Sequence, residues 1–407
     1  MMITAGDSIF ASRSFRQYYI GQAFSYLGDG LRLLAVPLLV YYLTHSALST
    51  GISLVLEVAP FAFFGPIAGS FADRLDRRKL MIGCDFVRFA VMATFAIMYA
   101  THTLTLTMVY GGLVIISIAA SFFLGGQAPS IPYLLGRERT TEAVSALVAA
   151  ESATNLVTPV IGGALFSLLG PLPALTMNAF TYGISQISLS RVPTLGPDER
   201  NGAPSPRELI NDVAEGFRFL MRDVPMRTMS FLSLAMNAFG FGGYAILIPY
   251  LKRQFAASDH QVGFFLGISA AGAIAGSLFA GKTAKRWPFG RALMCAMLFD
   301  ALIFIPFLFA SNLYVAALFW ALANMAANFE ISQIIGWRLR ITPEHMVGRV
   351  VGAVRLVVLL GMVPAVIGLG YVADHVGAHV AMTISALGYL AIALVGALMP
   401  VVRNESR

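Results

Sequence analysis

Charged side chains that interrupt long apolar stretches are the residues of this sequence best suited to chemistry. They are Asp29, Arg32, Glu57, Asp85, Arg88, Glu151, Asp300 and Glu330. On insertion scales a charge at the centre of a bilayer costs about 2.5–3.5 kcal/mol, so a charge kept there is by default a functional candidate. A carboxylate in an apolar cavity can bind a proton and release it when water or a cation returns. The acids among these residues are therefore candidates for reversible proton binding.

Glu57 and Asp29 are the first candidates for the proton-coupling site. Glu57 lies about midway along its apolar stretch and has no basic residue within one helical turn. Asp29 stands three residues before Arg32, the spacing of an ion pair along one helix, so a static pair is the alternative interpretation. Asp85 and Arg88 have the same spacing, and we interpret them as structural.

The elements that carry these charges are predicted to be membrane-spanning helices. Of 407 residues, 57% are hydrophobic and only 12% are charged, about half the charge of a soluble domain. Twelve apolar runs have the length of about 20 residues that a helix needs to cross a bilayer. Their approximate spans are 15–43, 48–73, 79–100, 104–135, 141–169, 172–191, 225–251, 260–284, 290–310, 313–340, 346–374 and 377–400. Continuous apolar runs exclude a β-barrel, whose strands alternate in polarity.

The basic residues predict the orientation, because Lys and Arg in short loops stay on the cytoplasmic side. Of 28 basic residues, only Lys252 and Arg253 fall in a predicted outer loop. The chain is therefore expected in the cytoplasmic (inner) membrane with both termini in the cytoplasm. Residues 1–19 have no features of a cleaved signal peptide, so we expect the first helix to stay in the protein. The net charge of +7 follows from this topology, so nucleic acid is not an expected partner.

A polar stretch from Val192 to Met226 divides the chain into two halves. We predict a first six-helix bundle at 1–192, a cytoplasmic linker at 193–224 and a second six-helix bundle at 225–407. Within the linker, apolar residues from Leu209 to Leu220 recur at helical spacing, which predicts an amphipathic helix. Segments 69–74 and 281–286 resemble each other, and so do 159–163 and 364–368, which indicates internal repetition of the halves.

The loop between the second and third predicted helices has the most specific local pattern. A small residue is followed by an acid and then by a cationic hairpin, which suits a contact made in one conformation only. We predict a conformational latch that also includes the nearby Asp85 and Arg88. Its loop residues are Gly69, Asp73, Arg74, Arg77 and Arg78.

This loop resembles the signature loop of the major facilitator superfamily, although Asp76 replaces the usual glycine and Lys285 stands in the second half where Asp73 stands in the first. Further segments are similar to the drug:proton antiporter branch, which includes macrolide efflux proteins and the enterobactin exporter. They are 24–30, 35–41, 82–85, 215–219 and 342–350. The resemblance implies an all-α fold of twelve transmembrane helices in two pseudo-symmetric six-helix bundles.

The fifth predicted helix contains Pro159, Gly162 and Gly163, which resemble the end of the antiporter motif of exporters, with Thr158 in place of a glycine. Ordinary packing of small residues is the alternative.

In the fold that the resemblance implies, the first, fourth, seventh and tenth helices line the cavity. The third, sixth, ninth and twelfth helices lie outside. On the four cavity helices we expect Asp29, Arg32, Asn237, Tyr244 and Glu330 as proton-coupling or substrate residues, and Glu57 and Glu151 are added as acids within the second and fifth helices. Asp300 falls on the ninth, outer helix and has no assigned role. Gly240, Gly242 and Gly243 are expected to give the seventh helix a gating bend.

No catalytic motif, nucleotide-binding loop or metal-ligand spacing occurs in the sequence, so we expect no enzyme activity, no cofactor and no metal. Cys84 and Cys295 are interpreted as packed thiols. The predicted function is proton-coupled efflux of small amphipathic compounds by a monomer in the lipid bilayer. A facilitator-type importer, a lipid transporter and a non-transporting membrane sensor stay open as alternatives.

Overall fold

A computed structural model describes residues 8–72, 75–193, 195, 206–283, 287–343 and 346–400. Within these ranges the chain forms α-helices, two short 3-10 turns and connecting loops, and it forms no strand. The helices are α1 (Arg13–Thr44), α2 (Ala47–Ala72), α3 (Arg77–Ala100), α4 (Leu106–Leu135), α5 (Thr140–Leu169), α6 (Pro171–Ser190), α7 (Pro206–Arg222), α8 (Val224–Ala245), α9 (Leu247–Phe255), α10 (Asp259–Thr283), α11 (Phe289–Leu308), α12 (Leu313–Ile341), α13 (Val347–His375) and α14 (Ala378–Leu398).

Each of the twelve predicted spans corresponds to one helix or to the pair α8 and α9, which confirms the all-helical fold class. Ten of the described helices are long and apolar enough to cross a membrane singly, and α8 with α9 forms a further bent span. The twelfth, α6, is 20 residues long but falls outside that set. Its buried Asn178, Thr181, Ser185 and Ser188 explain the lower hydropathy.

The chain divides into two compact units. The first contains the chain up to Val36 together with Leu56–Leu209, and the second contains Pro37–Val55 together with the chain from Ile210 onwards. The boundary after Leu209 lies inside the predicted linker, whereas the inclusion of Pro37–Val55 in the second unit was not anticipated from the sequence.

Each unit has its own apolar core. In the first unit Phe15, Tyr18 and Phe123 are buried together. In the second unit Trp337 is fully buried and stacks on Phe289 with ring centroids 5.2 Å apart. These cores hold the helices that carry the charged residues described below.

The predicted amphipathic helix of the linker is α7, at Pro206–Arg222. Its Leu220 side chain is fully buried in the core of the second unit. Gly216 lies so close to α13 that a Cβ atom there would be 2.3 Å from the backbone oxygen of Arg349, and Glu215 pairs with the side chain of Arg349. One face of α7 is therefore docked on the second unit.

The bend near the seventh predicted span occurs at a different place from the one expected. The axis turns by 46° between α8 and α9, at Ile246, and α8 is helical through Gly240, Gly242 and Gly243. A Cβ atom at Gly242 would lie 2.7 Å from Leu369, and one at Gly243 would lie 2.5 Å from Ser385. These two glycines allow neighbouring helices to approach, so the expectation of a glycine bend was wrong.

A charged cluster joins the start of α2 to the end of α13 within the second unit. Asp374 accepts hydrogen bonds from the backbone nitrogens of Ala47 and Leu48, at 2.7 and 3.0 Å, and from the Ser46 hydroxyl. Arg253 donates to Asp374 at 2.8 Å and to the backbone oxygen of His45 at 2.7 Å. Asp374 thus satisfies unpaired nitrogens at the N-terminus of α2.

Helices α10 and α12 pack closely through two glycines spaced by four residues. A Cβ atom at Gly272 would lie 2.1 Å from the backbone oxygen of Ala321, and one at Gly276 would lie 1.9 Å from that of Met325. Small residues with this spacing let helix backbones approach in membranes. The contact fixes α12, which carries Glu330.

Gly276→Val is therefore expected to destabilise the second unit by about 1–3 kcal/mol, because the added atoms meet backbone that no rotamer change can move. The matched control is Gly281→Val on the same helix, where no atom lies within 4 Å of the added Cβ. Thermal unfolding of detergent-purified protein measures the difference. Equal stability of the two variants would contradict the close packing of α10 on α12.

Candidate functional site

The first unit contains a network of charges centred on Asp29 of α1. Its carboxylate lies 3.4 Å from the guanidinium groups of both Arg32 and Arg88, and the Tyr182 hydroxyl donates to it at 2.9 Å. The Asp29 side chain is 33% exposed, whereas those of Arg32 and Arg88 are buried. Asp29 is thus the member of this network that solvent reaches.

Glu57 of α2 belongs to the same network through Arg32. The two side chains are 3.1 Å apart at their closest atoms, and both are almost completely buried. The contact does not have hydrogen-bond geometry, so neither Glu57 oxygen accepts a hydrogen bond among the described residues. The sequence showed no cation within a helical turn of Glu57, but Arg32 comes from the neighbouring helix, and spacing along one helix cannot reveal such a contact.

Asp85 and Arg88 of α3 form the third part of the network. They are ion-paired, Ser185 of α6 donates to Asp85 at 2.6 Å, and the Arg88 guanidinium lies 4.6 Å from the ring centre of Tyr182. The expectation that this pair belongs to the signature-loop latch stays a prediction, since Asp73 and Arg74 of the loop lie outside the described residues. Among the described residues, the side chains of Asp85 and Arg88 contact α1, α4 and α6. Asp85 lies eight residues after Arg77 at the start of α3, about 12 Å along the helix axis.

Small residues on α1 allow its neighbours to reach this network. A Cβ atom at Gly28 would lie 2.5 Å from the Thr181 hydroxyl of α6, and one at Gly30 would lie 2.2 Å from the Thr158 hydroxyl of α5. Asn178 of α6 donates to the backbone oxygen of Gly28 at 2.6 Å. Close approach of α5 and α6 to α1 places Tyr182 against Asp29.

The antiporter-like motif lies on the part of α5 that faces α1. Pro159 is inside the helix, and Gly162 and Gly163 are buried. A Cβ atom at Gly162 would lie 3.2 Å from Leu34 of α1. Gly162 therefore serves the packing of α5 on α1, and the role of the motif in antiport stays a prediction. Glu151, on the same helix, has an exposed side chain.

The predicted latch is partly described. Asp73 and Arg74 lie outside the described residues, and Gly69 is near the end of α2. The Arg77 side chain is buried and donates to the backbone oxygens of Ala72 and Pro129, at 2.8 and 3.0 Å. Arg78 donates to the backbone oxygen of Ser190. These arginines tie the loop to the ends of α4 and α6 in the same unit.

Asp76 explains why this loop does not need the usual glycine. Its φ angle is −63°, and its carboxylate accepts a hydrogen bond from the backbone nitrogen of Arg78 as the N-cap of α3. A position with this negative φ accepts any ordinary residue, and aspartate is among the favoured N-cap residues.

The second unit contains a separate acidic centre beside a cavity of about 220 Å³. Tyr389 donates to Glu330 at 2.9 Å and is within hydrogen-bonding reach of Asp300. Asn237 and Tyr244 line the same cavity, so the structure brings together three of the residues predicted for it. Asp300 is 6% exposed and also lines it. Asp300 was assigned no role from the sequence because its helix was expected on the outside. In the structure this residue of α11 faces α12 and α14.

Comparison with known proteins identifies the family. The model of a family described as transmembrane secretion effector matches residues 5–407. The chain belongs to this family of the major facilitator superfamily. It is 24% identical to the multidrug efflux pump Tap of Mycobacterium tuberculosis over 93% of this chain and 91% of that protein.

Two further relatives have similar identity. The enterobactin exporter EntS of Escherichia coli is 24% identical over 83% of this chain and 80% of that protein. Macrolide efflux protein A of Streptococcus pyogenes is 25% identical over 62% of this chain and 66% of that protein. The chain is thus a multi-pass membrane transporter of the major facilitator type.

Solved structures agree with this fold. The nucleoside transporter NupG matches with a TM-score of 0.79 and 15% identity, covering 94% of this chain and 99% of that one. An inward-facing, unoccupied bacterial homologue of the human lysosomal transporter Spinster matches with a TM-score of 0.75 and 14% identity, covering 98% of both chains. At these identities the likeness shows the fold alone.

Arg88→Gln is expected to destabilise the first unit by about 3–5 kcal/mol, because it leaves the buried Asp85 carboxylate without its cation. The double variant Asp85→Asn with Arg88→Gln removes both charges and should recover much of this loss. Thermal unfolding of the purified variants measures both effects. As a control, Glu142→Gln removes one member of a partly exposed pair with Arg139 and should cost less than about 1 kcal/mol. Additive losses in the double variant would contradict the pairing.

Proposed function

We propose that this transporter exports small amphipathic compounds, such as a drug, an antibiotic or a siderophore, in exchange for protons by alternating access. The names of three relatives support export, since they are described as a multidrug efflux pump, a macrolide efflux protein and an enterobactin exporter. Binding sites near the middle of a transporter that open to each side in turn are typical of this kind of fold.

The arrangement around Asp29 is the observation that carries the proposal. Three carboxylates share two guanidinium groups, and of the three only Asp29 is substantially exposed. A proton on Asp29 removes the charge that Arg32 and Arg88 both contact. Each arginine then keeps one buried carboxylate, Glu57 or Asp85. Protonation of one accessible group thus changes the forces between α1, α2 and α3.

The energy available to such a step is sufficient for active export. Moving one elementary charge through a membrane potential of 100 mV supplies about 2.3 kcal/mol, and a pH difference adds to it. A factor of ten in concentration corresponds to about 1.4 kcal/mol. One proton per cycle can therefore sustain a gradient of more than tenfold for an uncharged solute. For a monovalent cation, one-for-one exchange moves no net charge, so the pH difference alone drives it.

The proposal includes a location and a state of assembly. We place the chain in the cytoplasmic (inner) membrane with both termini in the cytoplasm, on the basis of its Lys and Arg distribution. It acts as a monomer, as a transporter and not as an enzyme, and its partners are the solute, protons and the surrounding lipid.

Cells that lack their major efflux pumps provide the test. Expression of the wild type is expected to lower the accumulation of a cationic fluorescent dye or a labelled macrolide, and a protonophore should abolish the effect. Asp29→Asn and Glu57→Gln should each reduce export at least tenfold, because they remove a proton acceptor and the carboxylate that retains Arg32. Initial rates of dye efflux from preloaded cells measure this.

Glu142→Gln serves as the matched control, since it neutralises a half-exposed carboxylate on α5 that lies outside the network, and it should export like the wild type. All variants are compared at equal abundance in the membrane. Export that persists in the presence of the protonophore would contradict proton coupling. Unchanged accumulation with abundant wild-type protein would contradict export of these compounds and favour an importer, a lipid transporter or a sensor.

A further inference from the structure

The cavity of the second unit is built from four helices and has an apolar wall and a polar end. Its aromatic lining consists of Phe241 and Tyr244 from α8, Phe304 from α11, Trp320 from α12 and Tyr389 from α14. Glu330 and Asp300 lie at its polar end. The volume of about 220 Å³ matches a small organic group better than a single ion.

The carboxylate of Glu330 is incompletely satisfied. The residue is 2% exposed, and its Oε2 atom accepts from Tyr389 at 2.9 Å. Its Oε1 atom is buried and has no hydrogen-bond donor among the described residues. Burying a carboxylate oxygen without a hydrogen-bond donor destabilises the folded protein, and a ligand that donates to this oxygen removes that cost.

The amide side chains of the cavity add hydrogen-bond acceptors to this end. The Nδ2 atoms of Asn237, Asn324 and Asn328 donate to backbone oxygens one turn earlier in their own helices, at 2.9, 3.3 and 3.0 Å. A backbone oxygen only accepts, which assigns the nitrogen to this contact and leaves each amide oxygen for other donors. The polar surface of the cavity is thus rich in acceptors.

The two acids have no cationic partner in the described part of the chain. The residues that line the cavity include no Lys, Arg or His. Asp300 and Glu330 lie near enough to each other that their negative charges repel. Arg338 is eight residues beyond Glu330 on α12, about 12 Å along the axis. Two acids that share an apolar site are costly to keep charged unless a cation offsets them.

An organic cation fits this surface better than a metal ion. The described residues contain no group of three or more His, Cys, Asp or Glu side chains that could hold a metal, whereas the faces of Trp and Tyr attract organic ammonium groups. The N–H groups of an organic ammonium ion can donate hydrogen bonds to Glu330 and to the amide oxygens. An apolar body attached to the ammonium group can pack against the aromatic wall.

We propose that the cavity between α8, α11, α12 and α14 binds the protonated amine of an amphipathic compound, with Glu330 and Asp300 as its counter-ions. The inference rests on the proposed transport of amphipathic compounds and specifies a charge class within it. It assigns to the second unit a binding role distinct from the proton site around Asp29.

Equilibrium binding to the detergent-purified full chain tests this proposal. The probes are 2-(1-naphthyl)ethylamine, which is charged at neutral pH, and 2-(1-naphthyl)ethanol, which has the same aromatic body without the charge. The wild type should bind the amine at least about tenfold more tightly than the alcohol, the factor expected for hydrogen bonds to charged groups. Glu330→Gln and Asp300→Asn should each abolish most of this preference and leave alcohol binding unchanged.

Asp259→Asn is the matched control, because Asp259 is an acid of the same unit that pairs with Lys252 away from the cavity, and it should keep the preference. Retained binding of the alcohol shows that a variant is folded, and either cavity variant alone suffices if the other fails to fold. Equal binding of amine and alcohol to the wild type would overturn the proposal. So would a preference that survives in Glu330→Gln and disappears in Asp29→Asn.

The experiment separates this proposal from the one on which it rests. Binding at equilibrium needs neither a proton gradient nor a direction of transport, so a failure of proton-driven export leaves the binding result intact. Equal binding of the two probes, in turn, overturns the cation site and leaves proton-driven export standing.

Discussion

The cost of an uncompensated charge in an apolar environment is the constraint on which this structure depends. A helix that crosses a bilayer satisfies its own backbone, but a charged side chain in it needs a partner from elsewhere. The first unit provides that partner, since Arg32 and Arg88 lie among three carboxylates. The second unit buries Asp300 and Glu330 beside Tyr389, and the described residues that line their cavity include no arginine. The acids of the first unit are neutralised by arginines of the chain itself, and those of the second unit are arranged to bind a cation from a ligand.

The charged cluster of Asp374 and Arg253 shows the same constraint at the start of α2. Lys252 and Arg253 are exceptions to the one-sided distribution of basic residues, and both are paired, with Asp259 and Asp374. Asp374 also accepts hydrogen bonds from the first turn of α2, so it offsets a guanidinium and a helix N-terminus together. Arg253 lies in the last turn of α9, where its contacts hold the end of α13 against the start of α2. Its position therefore reflects packing within the second unit and does not weaken the orientation argument.

Most of the fold was predictable because its signals are local. Apolar length located the spans, and helical spacing of apolar residues located α7 at Pro206–Arg222. Contacts between helices were not predictable in this way. Arg32 of α1 contacts Glu57 of the neighbouring α2. Asp300 faces α12 and α14, although its helix was expected on the outside. Glycines were equally ambiguous, since those of α8 permit close packing while the bend falls at Ile246. Local pattern thus gives elements and candidate charges, and tertiary packing decides which charges meet.

Separate centres for the proton and the solute cation have a thermodynamic consequence. A ligand shifts a conformational equilibrium only by the difference between its affinities for the two states. If an ammonium group and a proton used the same carboxylate, each would exclude the other, and coupling would follow from competition alone. With Asp29 in the first unit and Glu330 in the second, both can be occupied at once. Coupling must then come from conformations that favour the two occupants differently, through the contacts of α1 with α2 and α3 on one side and of α12 with α14 on the other.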